Sequence, residues 1–196
     1  MKKIWALCAI LIVGYCSLAN AQSLSGGVKG GVNIANMIKT GDLDYSSDVR
    51  VGFNAGGFLD LDITGNLGIG AELNYSQKGY KQGDNLTYTN NFVDLPLMLQ
   101  VALFDRVSLH LGPQFSWLIN SSVKRETNDR TTITKYKGEE KSYVGGVLGI
   151  DIYIGNGFKL IGNYTQDFTE RKANSDAQIP TFKNKVWQIG LGYYLF

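Results

Sequence analysis

Val49-Arg50-Val51-Gly52-Phe53-Asn54-Ala55-Gly56-Gly57-Phe58-Leu59-Asp60-Leu61-Asp62-Ile63 alternates between two kinds of side chain along its whole length. Odd positions read Val, Val, Phe, Ala, Gly, Leu, Leu, Ile; even positions read Arg, Gly, Asn, Gly, Phe, Asp, Asp. A strand is the regular structure whose side chains repeat every two residues. Strands of soluble proteins are mostly about five or six residues long. A tilted strand that crosses a bilayer needs about 9–11, and this run is long enough.

The same signature recurs on both sides. Upstream, Val28, Gly30, Val32 and Ile34 alternate with Lys29, Gly31 and Asn33 in a strand predicted over about 25–36. Downstream, Leu67, Ile69, Ala71, Leu73 and Tyr75 alternate with Gly68, Gly70, Glu72, Asn74 and Ser76. Val93, Leu95, Leu97, Leu99, Val101 and Leu103 then oppose Asp94, Pro96, Met98, Gln100 and Ala102. A fifth strand sets Val107, Leu109, Leu111, Pro113, Phe115 and Trp117 against Ser108, His110, Gly112, Gln114 and Ser116. Three more are predicted over about 143–154, 158–168 and 185–196, which makes eight.

The connections also alternate. Thr64-Gly65-Asn66, Phe104-Asp105-Arg106 and Gly155-Asn156-Gly157 read as tight turns, two of them with the Gly and Asn that hairpins favour. Between them lie longer polar segments, about 37–48, 79–91, 120–142 and 169–184. Short turns at one end and long loops at the other are the asymmetry of outer-membrane barrels. An even strand number returns both ends of the barrel to the short-turn side. The expected fold is therefore all-β, an eight-stranded antiparallel up-and-down transmembrane β-barrel.

The segregation of charge fits an inward polar face, whereas a soluble sandwich would turn that face to water. One face carries Lys29, Arg50, Asp60, Asp62, Glu72, Asp94, Asp151 and Lys159, and the other almost none. A Lys or Arg at the lipid midplane costs roughly 2–4 kcal/mol, so the clean face meets hydrocarbon and the charged face fills the lumen. Glycines at 31, 52, 56, 68, 70, 112 and 149 crowd the polar face, as a narrow eight-strand interior requires. Closure pairs every ladder group, because an orphaned backbone group in lipid costs several kcal/mol. Phe104, Phe158 and Phe196 near the turns, with Tyr75, Trp117, Phe168 and Trp187 near the loops, are expected to form two interfacial girdles.

The first residues read as an export signal. Lys2 and Lys3 precede the apolar run 4–13, and Ala19-Asn20-Ala21 is an A-x-A cleavage site. The run is short for a spanning helix, which needs about 20 residues. Residues 1–21 are therefore expected to be a removable signal peptide, and 22–196 the barrel domain. An acylated Cys16 is the alternative, but Tyr15 stands where such signals carry a small residue. Both cysteines, Cys8 and Cys16, fall in the leader, which excludes a disulfide framework, a thiol nucleophile or a Cys-ligated metal in the barrel. The chain has 19 basic and 17 acidic residues; without Lys2 and Lys3 the counts are equal. Net charge gives nucleic-acid binding no support.

The chain ends Trp187-Gln188-Ile189-Gly190-Leu191-Gly192-Tyr193-Tyr194-Leu195-Phe196. A last strand with a terminal aromatic residue resembles the signal by which barrels are handed to the outer-membrane assembly machinery. Hydrophobicity places Trp187, Ile189, Leu191, Tyr193 and Leu195 toward lipid, whereas the signal would place Tyr194 and Phe196 there; a bulge near Tyr193 would reconcile them. With the leader, Val93-Asp94-Leu95-Pro96-Leu97-Met98-Leu99 and Leu111-Gly112-Pro113, the chain resembles the PorT-like family of small outer-membrane β-barrels over most of 24–196. Some members of that family assist protein secretion. The resemblance implies fold more than role, and transfers no binding residue.

Little in the sequence points to chemistry. His110, with Ser108 and Asp94 or Asp151 as neighbours across the lumen, is the one conceivable triad; a lumen hydrogen-bonding role suits it better. Asp60, Asp62, Glu72, Asp94 and Asp151 are the candidate cation ligands, set against pairing with Lys29, Arg50 and Lys159, which burial demands. Gly68-Ile69-Gly70 has no following helix and is no dinucleotide site. No catalytic, cofactor-binding or metal residue is assigned, and no cofactor is expected. In the mixed-charge segment 120–142, Thr131-Thr132-Ile133-Thr134-Lys135-Tyr136 is β-prone. The fifth and sixth strands are expected to extend there as a hairpin able to pair with a partner's strand.

The expected partners are thus outer-membrane lipid, the assembly machinery through the strand ending at Phe196, and a protein at 120–142. The function expected is that of a non-conducting structural or interaction barrel, since eight strands leave no open channel. A soluble lipocalin-like binder and a lipid-modifying enzyme are the alternatives.

Overall fold

A computed structural model of the chain describes residues 23–39, 48–83, 86–127, 130–136, 142–169 and 182–196. Residues 1–21, expected to be a signal peptide, lie outside them. The strands are β1 Leu24–Lys39, β2 Asp48–Thr64, β3 Leu67–Gln82, β4 Leu86–Phe104, β5 Val107–Thr127, β6 Arg130–Tyr136, β7 Ser142–Gly155, β8 Phe158–Asp167 and β9 Phe182–Tyr194. All pairings are antiparallel. The sheet runs β4-β3-β2-β1-β9-β8-β7-β5, and β4 pairs β5 to close it. β6 pairs only with the upper part of β5, beyond β7. Eight strands therefore form the barrel wall, as the alternation predicts, and the ninth stands above it.

The three tight turns fall where the sequence places them. Gly155-Asn156-Gly157 joins β7 to β8 with φ of 107°, 54° and 79°, left-handed geometry that Gly and Asn accept at little cost. At the opposite end two expected loops are largely strand. The β3–β4 hairpin pairs Gln82 with Leu86, so most of 79–91 is ladder, and β5 pairs β4 as far as Arg125 with Leu86. Polar residues on both faces hide these extensions from a search for apolar alternation. The hairpin expected in 120–142 forms, with β6 answering β5 from Ser121–Tyr136 to Thr127–Arg130.

Side-chain direction follows the predicted parity. Leu97, Leu99, Leu109 and Leu111 lie on the outer surface, with Val28, Val32, Leu73, Leu148, Ile150 and Ile189. Arg50, Glu72, Lys29, Asp94 and Asp151 are buried inside. A water-soluble barrel would invert this arrangement. Phe104, Phe158 and Phe196 are exposed at the turn end, and Trp117, Phe168 and Trp187 at the other. Phe53 joins Tyr75 at 5.5 Å and Tyr164 joins Trp187 at 4.9 Å. Beyond the Tyr75–Val93–Trp117 row, two residues along β3 and β4 and three along β5 across its register shift, Gln77 donates to Asn91 (3.2 Å) and Asn91 to Asn120 (2.7 Å). That switch from aromatic to amide marks the outer limit of the apolar band.

Interior glycines make room where strands approach. A Cβ on Gly112 would fall 1.9 Å from the Leu97 carbonyl oxygen, and one on Gly149 would strike Asn163 and His110. The last strand shows no register shift against β1 or β8. Tyr193 faces outward and Tyr194 inward; the strand then ends, and Phe196 turns outward while its carbonyl accepts from Gly26 N–H at 3.2 Å. The alternation read from hydrophobicity therefore holds through Tyr194, which faces the lumen and not lipid as the assembly-signal reading required; Phe196 turns outward past the strand end, and no bulge intervenes.

Candidate functional site

The lumen is the place where this chain concentrates buried charge. Among the described residues, Lys29, Arg50, Lys78 and Lys159 are buried with Asp60, Glu72, Asp94, Asp151 and Asp167. Ions withdrawn from water are tolerated only when paired and hydrogen-bonded, and the strands supply those partners across the barrel.

Asp60 of β2 is the hub near the turn end. It accepts from Lys159 Nζ of β8 (3.0 Å), Tyr194 OH of β9 (3.0 Å) and Gln100 Nε2 of β4 (2.7 Å). Lys159 also reaches Asp151 of β7 at 3.0 Å, and its ammonium stands 4.0 Å from the Phe58 ring centroid, a cation–π contact. Five strands converge on this one cluster. Tyr194 meets Phe58 edge to face at 5.0 Å, which explains why an aromatic residue occupies an even position of β2.

Midway, Lys29 Nζ binds Glu72 at 2.8 Å, and Asn74 donates to the same oxygen at 2.7 Å. Asn33 receives from Asn54 (2.6 Å) and donates to Ser76 (2.9 Å). Toward the loop end, Lys78 Nζ lies 2.9 Å from Asp94 and 3.4 Å from Ser116 Oγ, with the Phe92 ring 4.8 Å away. Asn184 donates to Asp167 at 2.5 Å. Phe92, Leu118 and Tyr143 pack together there, as do Met37 and Tyr80 with Tyr88 against them. The mouth of the lumen is therefore lined by aromatic and aliphatic groups above the ion pairs.

Sequence reasoning places Lys29, Lys159, Asp60, Glu72, Asp94 and Asp151 correctly in this network. It misses Lys78 and Asp167, which sit where the strands continue past the apolar stripe. Arg50 pairs differently from expectation: its guanidinium donates to Gln77 Oε1 (2.9 Å) and the Lys78 carbonyl (3.4 Å). Asp62 is not a lumen carboxylate but an exposed one at the turn-end rim, accepting from Ser23 Oγ at 2.9 Å.

His110 is 1% exposed on the inner face of β5. Its Nε2 lies 2.8 Å from Asn163 Oδ1, and its Nδ1 faces Asp151 Oδ1 at 3.7 Å, neither of these last two atoms having a hydrogen-bond partner. Ser108 is buried on the same face and pairs in register with Asp151, but no hydrogen bond joins it to His110. A nucleophile must be within hydrogen-bond reach of its base, and this one is not. Asp94 is committed to Lys78. Among the described residues no three His, Cys, Asp or Glu side chains gather as a metal site.

Comparison with known proteins agrees with this architecture. Solved structures similar in fold include the attachment invasion locus protein Ail of Yersinia pestis, at 14% identity with a TM-score of 0.50 in its complex with a heparin analogue, covering 88% of this chain and 99% of that one. Neisserial surface protein A is similar at 10% identity and a TM-score of 0.48, covering 89% and 99%. OprG of Pseudomonas aeruginosa is similar at 13% and 0.43, covering 89% and 95%. No curated protein matches the sequence. The profile of the outer membrane protein beta-barrel domain matches residues 20–194. An apolar exterior, a charged and cross-linked interior and a match over nearly the whole chain converge: this protein belongs to the outer membrane protein β-barrel domain family.

Proposed function

We propose that the protein is a non-conducting anchor in the outer membrane that holds an interaction surface outside the cell. The observation that carries this reading is the lumen, where Lys159, Asp60, Gln100 and Tyr194 join strands on different sides of the barrel. Ions held in pairs of this kind bind one another rather than passing solutes, and their desolvation makes displacement costly. The short turns and both ends of the barrel chain face the periplasm, and the tall β3–β6 edge faces outward. Residues 1–21 serve as the cleaved leader, and the strand ending at Phe196 is offered to the assembly machinery. The resemblance to PorT-like barrels favours a task in secretion or envelope organisation. The His110 geometry favours a non-enzymatic role.

Purified protein in planar bilayers is expected to give no stable conductance steps, and carbonate or urea washing is expected to leave the chain in the membrane. Steady open levels would overturn the non-conducting reading. Release without detergent would favour a soluble binder.

A further inference from the structure

We propose that the outer edge of β6 accepts an extended, acidic segment of another protein as an added strand, outside the membrane. This deepens the interaction role proposed above and rests on it. The barrel wall is closed, but β6 is the last strand of the sheet and pairs on one side only among the described strands. Every residue of β6 lies beyond the Gln77–Asn91–Asn120 amide row, since its lower end, Tyr136, pairs with Ser121. The rim is lopsided: β4 and β5 rise to Leu86 and Thr127, whereas β8 stops at Asp167 opposite Gly145. Nothing in the described wall stands beside β6 at its height.

A strand edge presents unpaired N–H and C=O groups, which proteins usually guard with charge, proline or a bulge. The centre of β6 has none of these. Thr131, Thr132, Ile133 and Thr134 are uncharged, β-branched and exposed, a surface suited to ladder addition. The hairpin sequence carries Lys124, Arg125, Arg130 and Lys135 against Glu126 and Asp129, a surplus of basic residues that attracts an acidic segment. A second copy in the same membrane fits less well. Both copies share the direction of the membrane normal, so their β6 strands run the same way and cannot build an antiparallel ladder.

The test uses the full barrel in lipid nanodiscs and a fluorescent peptide of alternating glutamate and valine. A second peptide of identical sequence carries an N-methyl group on every amide, which removes the ladder donors from both edges and keeps the charge. Saturable binding of the first is expected, weakened about tenfold or more by methylation. Thr132→Pro and Ile133→Pro each delete one N–H, and successive N–H groups point to opposite sides of a strand. Amide exchange along β5 identifies the variant that keeps the β5–β6 ladder. That variant is expected to lose the peptide by a similar factor. Equal binding of both peptides, undiminished binding by the ladder-keeping variant, or no binding at all would overturn the proposal. Retention of the barrel in carbonate-washed membranes, checked in parallel, separates failure of the edge from failure of the anchor.

Discussion

Replacing Lys159 with methionine is expected to destabilise the barrel by on the order of 3–5 kcal/mol, the cost of leaving a buried partner charge uncompensated. Among the described residues, Lys159 is the single cation that touches both Asp60 and Asp151. Methionine keeps most of the volume and the contact with Phe58 while removing the charge. Two carboxylates then remain buried: Asp60 retains the Gln100 and Tyr194 donors, and Asp151 retains only the distant His110 ring. The loss therefore falls hardest on Asp151. A triple variant with Asp60→Asn and Asp151→Asn as well is expected to recover most of the stability, because the orphaned charges are gone. Guanidinium unfolding of the protein folded into liposomes measures both. A methionine variant as stable as the parent would mean that the cluster is hydrated, and that the lumen is not the tightly filled interior described here.

Leu111→Arg probes the other face. Leu111 is 53% exposed on β5, flanked in register by Leu99 and Leu148, which are also exposed. It sits about midway between the Phe104 and Trp117 ends of the band. Arginine there is expected to cost roughly 2–4 kcal/mol in a bilayer, against about zero to one near the interface. The same change at Ile133, 61% exposed on β6 above the amide row, is expected to stay within about 0.5 kcal/mol, the usual range for surface substitutions. The difference between the two positions reports the lipid, since both are exposed leucine-like side chains on strands. Equal and small effects at both would place Leu111 in water.

The barrel was legible in the sequence because lipid imposes a strict rule on one face. Where β4 and β5 cross hydrocarbon, Leu97, Leu99, Leu109 and Leu111 advertise the outer side and Asp94 and His110 the inner. The rule lapses at the amide row. Beyond it, Thr87, Tyr88, Thr89 and Asn90 on one strand and Ser121, Ser122 and Val123 on its partner alternate in geometry but not in hydrophobicity. These strands therefore read as loops. Lys78 closes the strand predicted before them, past the last apolar residue of its stripe, Tyr75, and so stands outside the charged face read from the alternation. Near Ile119, β5 also changes parity: Leu118 and Ser121 are buried while Ile119 and Asn120 are exposed, next to the register shift at Asn91–Phe92. A bulge of this kind leaves no composition signal.

The charged inner residues were readable, but not their partners. Lys29 could have met any of several carboxylates; the β1–β2–β3 register brings it across β2 to Glu72. Likewise Asp60 gathers three donors only because β2, β4, β8 and β9 hold Asp60, Gln100, Lys159 and Tyr194 at matching heights. Pairing depends on shear around the closed sheet, which a single strand's sequence does not encode. The absence of a readable partner for His110 has the same origin, since Asn163 approaches it from β8 over β7.

The sidedness of the wall is tested most directly by a nitroxide scan along β5, from position 107 to 117, in liposomes, using a chain without Cys8 and Cys16. Oxygen, which dissolves in hydrocarbon, is expected to relax labels at 107, 109, 111, 113, 115 and 117. Labels at 108, 110, 114 and 116 are expected to be shielded from it, giving a two-residue oscillation across the band; Gly112, where a side chain has no room, is left unlabelled. Oxygen access at the even positions, with the odd ones reached instead by a water-soluble nickel complex, would contradict the account.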